Sequence, residues 1–205
     1  MIRIATWLPV AGVALLLAAC ASAPLHYYTL VPAAATDAAT AASPAASLRF
    51  ELLPVGVPAQ VDQPQLVVRQ GGQGVALLDG ERWIAPLGDE IRNALSIDLV
   101  HALPGQDVGG LPGNHEPTLR IKLDLRRFDS QPGSYALIDG AWSVRVMHAS
   151  GNHMLACSSR IRETVGPGYA ALLQGHQRAI SRLAEQIAAV ARSLDAGQDA
   201  SCPSN

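Results

Sequence analysis

From Thr118 to Arg126 the chain alternates without a break. Leu119, Ile121, Leu123 and Leu125 take one phase; Thr118, Arg120, Lys122, Asp124 and Arg126 take the other. A period of two is the repeat of a β-strand, and a strand apolar on one side only belongs to an antiparallel sheet with one wet face. Two more strand-like segments follow. Ser134 to Ala149 carries Trp142, Val144 and Val146 in phase, and Asn152 to Val165 is joined to it by the tight-turn residues Ser150-Gly151-Asn152. Three consecutive strands with short connections predict an antiparallel meander.

The apolar face of such a sheet needs a cover. Beginning at Tyr169, the residues Leu173, Ile180, Leu183, Ile187, Val190 and Leu194 form a seam at helical spacing, with Arg178, Arg182, Glu185 and Arg192 away from it. A regular seam also suits a coiled coil; packing on the sheet is the preferred reading. An earlier helix carries Leu87, Ile91, Leu95 and Leu99 every four residues, with Pro86 in its first turn and Pro104-Gly105 ending it. Asp89-Glu90 complements the dipole of that first turn. Upstream, Tyr27–Val31 and Leu48–Val57 read as strands. Leu66–Arg69 and Val75–Leu78 form a hairpin through Gln70-Gly71-Gly72-Gln73-Gly74, and because this glycine cluster feeds a strand, it is no phosphate loop. Gln106–Pro117 reads as a Gly/Pro-rich loop. The order predicts an α+β domain: a largely antiparallel sheet that includes a C-terminal three-strand meander, with two amphipathic helices packed on one face.

The N-terminus obeys other rules. Arg3 is followed by an apolar segment to Ala19, interrupted by Pro9, which is the layout of a secretory signal and too short for a membrane span. Leu17-Ala18-Ala19-Cys20 resembles a bacterial lipobox, and the resemblance implies cleavage before Cys20 and acylation of Cys20 with palmitate-type chains. The expected organisation is a signal peptide at 1–19, a lipidated Cys20 with a short tether to residue 26, a domain at 27–195 and a polar tail at 196–205. An Ala-rich loop at 32–47 falls within the domain. By resemblance to Gram-negative lipoproteins, Ala21 in place of Asp implies export to the outer membrane.

Composition narrows the chemistry. Fifteen Lys+Arg stand against seventeen Asp+Glu and aromatics make up 4%, so neither a basic nucleic-acid surface nor a base-stacking platform is available. No G-x-S-x-G or H-E-x-x-H occurs, and the histidines at 26, 101, 115, 148, 153 and 176 are scattered. They read as solvent-exposed or partner-facing, with no metal site. No catalytic residue is assigned, and no cofactor is expected beyond the lipid on Cys20. Cys157 and Cys202 remain as a pair that could be bridged, closing a loop worth roughly 4 kcal/mol. Alternatively Cys157, on the apolar phase of a strand, is a buried free thiol.

Several segments together resemble a known family. They are Cys20, Tyr27-Tyr28-Thr29-Leu30, Leu53-Pro54-Val55 with Pro58, Gln63-Pro64-Gln65-Leu66-Val67-Val68-Arg69, and Arg82-Trp83-Ile84-Ala85-Pro86-Leu87. This resembles the ABC-type transport auxiliary lipoproteins, which include the paraquat-inducible protein C lipoproteins. Where that family has a Tyr-Leu pair before Asp-Arg-Pro, this chain has Gln60-Val61-Asp62-Gln63-Pro64, so the Arg beside Pro64 is missing, with any contact it would make. The resemblance implies a non-catalytic outer-membrane accessory to a system with an ABC transporter and a mammalian-cell-entry (MCE) domain protein. Such a system carries phospholipid or other hydrophobic molecules across the envelope, and the accessory could form a homo-oligomer. Arg69, Arg82 and Trp83 are the candidate partner contacts, although for Trp83 core packing at the helix entrance is the preferred reading. The competing functional readings are an envelope-assembly lipoprotein without a transport role and a periplasmic hydrolase. The latter requires an organised Ser, His and Asp cluster.

Overall fold

A computed structural model describes residues 24–33, 48–103, 105–111, 117–147 and 153–204. The signal and lipobox with Cys20 and Ala21, most of the Ala-rich loop, and the Ser150-Gly151-Asn152 turn lie outside the described residues.

Two sheets and two helices share the core. The strands are β1 (His26–Tyr28), β2 (Leu48–Leu52), β3 (Gln65–Gly71), β4 (Gly74–Trp83), β5 (Gly105–Asp107), β6 (Leu119–Gln131), β7 (Tyr135–Val146) and β8 (Met154–Thr164). The helices are α1 (Leu87–Ala102) and α2 (Tyr169–Asp195). The larger sheet has the order β5-β2-β6-β7-β8. Its β6-β7-β8 part is the antiparallel meander that the alternation predicts, whereas β2 runs parallel to both β5 and β6. The fold is therefore α+β and mostly antiparallel.

Leu119, Ile121, Leu123 and Leu125 are all buried, as their phase requires. The alternation then breaks at a bulge between Leu125 and Arg127, so that Phe128 and Ser130 take over the buried phase. An extra residue in one strand resets its phase, which is why β6 runs on to Gln131 past the end of the simple pattern.

Helix α2 lies over β7 and β8, and α1 packs against α2 and β5. Phe50, Leu52, Trp142, Val144, Ile91, Leu95, Ile180, Leu183 and Ile187 fill the space between these layers. The approach of α2 to the sheet is closest at Gly175, where an added Cβ would sit 2.2 Å from Val165 Cγ1 and 3.1 Å from Ala136 Cβ. Only a residue without a side chain fits there.

Some boundaries move. The first strand is His26–Tyr28, not Tyr27–Val31, because Leu30 turns inward and is fully buried. After Leu52 the chain stays beside β6 through Leu53 N–H to Ile121 O and Gly56 N–H to Leu123 O, without being regular strand. The expected loop at 106–117 begins instead with strand β5. Gly105, Gln106 and Asp107 have no apolar alternation to announce them; backbone pairing with β2 and the Asp107 carboxylate hold them. That carboxylate accepts from Ser96 Oγ at 2.7 Å, Gly109 N–H at 2.9 Å and Arg92 at 3.2 Å.

The smaller sheet has the order β1-β4-β3. The β3–β4 hairpin turns where Gly71 and Gly72 take positive φ, a region that glycine enters without strain. β1 adds to β4 in parallel, Tyr28 beside Trp83. One face of this sheet, with Leu66, Val68 and Trp83, is buried. Partly buried Ala76, Leu78 and Tyr169 pack against the cluster of Val68, Ala136, Val165 and Leu172.

Candidate functional site

The three candidate contact residues all lie on the small sheet, but they do not form one patch. Trp83 takes the core reading rather than the contact one: it is 6% exposed, with its ring edge-on to Phe128 at 6.2 Å. Only its margin reaches a surface hollow of about 350 Å³ lined also by Asp62, Gln63, Pro64, Ile84, Ala85 and Pro86. Ile84, the next residue and 62% exposed, is what the surface presents there. Arg82 is half-buried and donates from Nε to Asp79 O at 3.2 Å, holding the irregular part of β4. Arg69, near the far end of the hairpin, donates to Asp129 at 3.1 Å and thereby ties the small sheet to β6. Arg127 pairs with the same carboxylate. Arg69 is thus a fastening between the sheets, and the exposed Arg126 lies next to it in a second hollow, lined also by Gln60, Val61 and Phe128.

The segment after β1 is fixed by a contact without a sequence signature. Glu90, in the first turn of α1, is buried and accepts from Thr29 Oγ at 2.7 Å and from Leu30 N–H at 2.8 Å. Its carboxylate therefore does more than complement a helix dipole. Tyr28 packs edge-on to Tyr169, and its hydroxyl donates to Glu81 at 2.6 Å. That hydrogen bond, with burial, pushes the phenol up to about 12.

His176 corrects an expectation, for it faces neither solvent nor a partner. It is fully buried, stacked on Phe128 at 3.9 Å, and its Nε2 lies 2.8 Å from Ser130 Oγ. Burial pushes its pKa down to about 3, against a smaller upward pull from Asp129, so the ring is neutral. A Ser–His contact invites comparison with a nucleophile and its base. Here Ser130 is buried along with the histidine, and Nδ1 has no hydrogen-bond partner among the described residues. The neighbouring Asp129 is engaged by Arg69 and Arg127 instead. The pair closes the core; it is not organised as a hydrolase site.

Cys157 and Cys202 are joined by a disulfide, with Cα atoms 5.5 Å apart. It fixes the C-terminal tail to β8, and the tail and α2 together enclose a shallow hollow lined by Glu185, Gln186, Ala189 and Ser193. Among the described residues no group of three or more His, Cys, Asp or Glu is placed to hold a metal ion. No helix of these residues is long and apolar enough to cross a membrane.

The described residues thus form a two-helix α+β domain whose two sheets are fastened to each other through Arg69 and Asp129. Residues 28–188 match the family described as the ABC-type transport auxiliary lipoprotein component, and the chain belongs to that family. It is therefore a lipoprotein-family member associated with ABC-type transport. No curated protein matches the sequence. Among solved structures, an uncharacterised protein is similar with a TM-score of 0.64 at 17% identity, covering 82% of this chain and 98% of that one. A Xanthomonas campestris protein of the family DUF330 is similar with a TM-score of 0.59 at 15% identity, covering 84% and 96%. At these identities the likeness is one of fold.

Proposed function

We propose that this chain is a non-catalytic outer-membrane lipoprotein, held on the periplasmic side by acyl chains on Cys20. It would serve an ABC transporter that works with an MCE-domain protein to move phospholipid or other hydrophobic molecules across the envelope. The observation that carries this reading is the family match over residues 28–188, which begins a few residues after a lipobox-like Leu17-Ala18-Ala19-Cys20. A single acyl chain holds a protein only marginally, whereas two or more give firm attachment, so the anchor by itself suffices for residence at the membrane. No cofactor is needed. The partners are the membrane, the MCE-domain protein, the transporter subunits and a second copy of the chain in a homo-oligomer.

The test is purification of the acylated protein from membranes in mild detergent. Transporter subunits and an MCE-domain protein should accompany it. Recovery as a solitary protein, from cells in which a known MCE complex survives the same extraction, would sink the transport reading.

A further inference from the structure

Five of the large exposed hydrophobic side chains collect in one place. Val75 and Leu77 of β4 are 51% and 47% exposed, Tyr27 of β1 is 55% exposed, and Leu25 and Ile84 flank the paired segment. Register puts Val67 opposite Leu77 and Tyr27 opposite Arg82, while Leu66, Val68 and Trp83 point into the core. Successive side chains alternate across a strand, and the register shift between Gln65 and Leu66 resets the phase of β4 between Leu78 and Arg82. Val67, Val75, Leu77, Tyr27 and Arg82 therefore share the outward face. The other exposed large hydrophobics among the described residues are Ile97 and Val100 on α1, Leu111 in a loop and Met154 on β8, none of them on this sheet. Single exposed apolar residues need no explanation, but a contiguous group marks a surface that meets something.

We infer that the outward face of the small sheet lies on the lipid bilayer, with Tyr27, Leu77 and Ile84 seated in its interfacial layer. This deepens the anchored-lipoprotein reading and rests on it. The tether argues for the occupant. Pro24 runs past β4, where a Cβ on Gly80 would be 3.6 Å from Pro24 O. Only three residues separate Cys20 from Pro24, and the four extended steps between them reach at most about 14 Å. Acyl chains on Cys20 would therefore keep the edge of this sheet within that reach of the membrane. The side-chain chemistry agrees with that placement. Tyrosine is at home at the level of lipid headgroups, and Arg82 beside Tyr27 can lay its stem on apolar surface and its guanidinium on phosphate. Asp79 sits at the irregular part of β4, and Asp129 is already held by Arg69 and Arg127. A second copy of the chain is the weaker occupant. The centre of a stable protein interface is depleted of charge, whereas Arg82 and Asp79 interrupt this apolar group.

The test uses the acylated full chain, in which a single engineered cysteine is the sole free thiol because Cys20 is acylated and Cys157 is bridged to Cys202. Leu77→Cys, Ile84→Cys and, on α1, Val100→Cys are each labelled with a nitroxide. The proteins are reconstituted into vesicles of phosphatidylethanolamine with a minor fraction of phosphatidylglycerol. Collisions with oxygen, which enters lipid, are compared with collisions with a water-soluble nickel complex. At positions 77 and 84 the oxygen-to-nickel ratio should rise several-fold on reconstitution, and at 100 it should stay at its aqueous value. Acylated protein that floats with the vesicles while 77 and 84 remain as wet as 100 overturns the docking face and leaves the anchor standing. Nickel protection at 77 and 84 that grows with protein concentration in the absence of lipid overturns it in favour of a second copy. A mature chain whose mass shows no acyl group removes the anchor, and the inference with it.

Discussion

At His176 burial and protonation oppose each other. The folded pKa, about 3, lies below the ordinary 6.5 of the unfolded chain, so between those values the unfolded state binds a proton that the native core refuses. Stability contributed by the neutral ring is complete above pH 6.5. It is lost as pH falls through the window down to about 3, at roughly 1 kcal/mol per pH unit for this one group. Denaturant unfolding followed from neutral to acid pH should show that slope, and His176→Phe should reduce it; an equal slope in the variant would mean that other groups set the acid limit. Glu90 gives a second residue-scale prediction. Truncation in Glu90→Ala leaves Leu30 N–H buried without its acceptor, a loss of roughly 1–3 kcal/mol, to be read as a lower denaturation midpoint at unchanged slope. Neither role could be read directly in the sequence, though one left a trace. The seam of α2 jumps seven residues from Leu173 to Ile180, and His176 falls in that gap three residues on from Leu173 and four before Ile180. A polar residue on an apolar stripe is a sign of a buried partner, here Ser130. Glu90 left none, since a carboxylate in a first helical turn is already accounted for by the dipole. Trp83 was open between core and surface because periodicity cannot weigh a residue where a strand ends and a helix begins.

The elements separate by what stabilises them. β6, α1 and α2 are visible in the sequence because they bury one face of a regular repeat, and repeats are what a linear pattern encodes. β5 and β1, three residues each, are held by backbone pairing and by side chains far along the chain, Asp107 to α1 and Tyr28 to Glu81. Parallel pairing of β1 with β4 joins segments some fifty residues apart and has no local signature. At the contact of α2 with the sheet, Gly175→Ala should destabilise by about 1–3 kcal/mol, because the added methyl meets Val165 and Ala136. This reverses the ordinary helix preference for alanine, so thermal melting tells the two effects apart by sign. The strap formed by Cys157 and Cys202 offers a further check. With Cys20 acylated as proposed, the chain denatured without reductant should show no free thiol, and after reduction two, with a stability loss on the order of 2–4 kcal/mol. Two thiols before reduction would exclude the bridge.

For the molecule as a whole, the fold class followed from the order of the elements, whereas the division into two sheets did not. The hairpin at residues 65–83 looks like any other two strands until Arg69 meets Asp129. Membership in the transport auxiliary family fits a domain whose buried polar groups all serve to fasten layers together: Glu90 holds the N-terminal segment, Ser159 holds Trp142 and Gln186, and Ser130 holds His176. The parallel union of β1 with β4 also has a mechanical meaning. A load applied through the N-terminal lead acts along β1, so its hydrogen bonds to β4 are strained in shear and must fail together, instead of opening one by one as in a peeled hairpin. Beyond them Glu90 grips Leu30 and Thr29 from the first turn of α1. A three-residue strand thereby becomes a mooring, and a pull that overcomes its shear contact with β4 next meets the first turn of a helix.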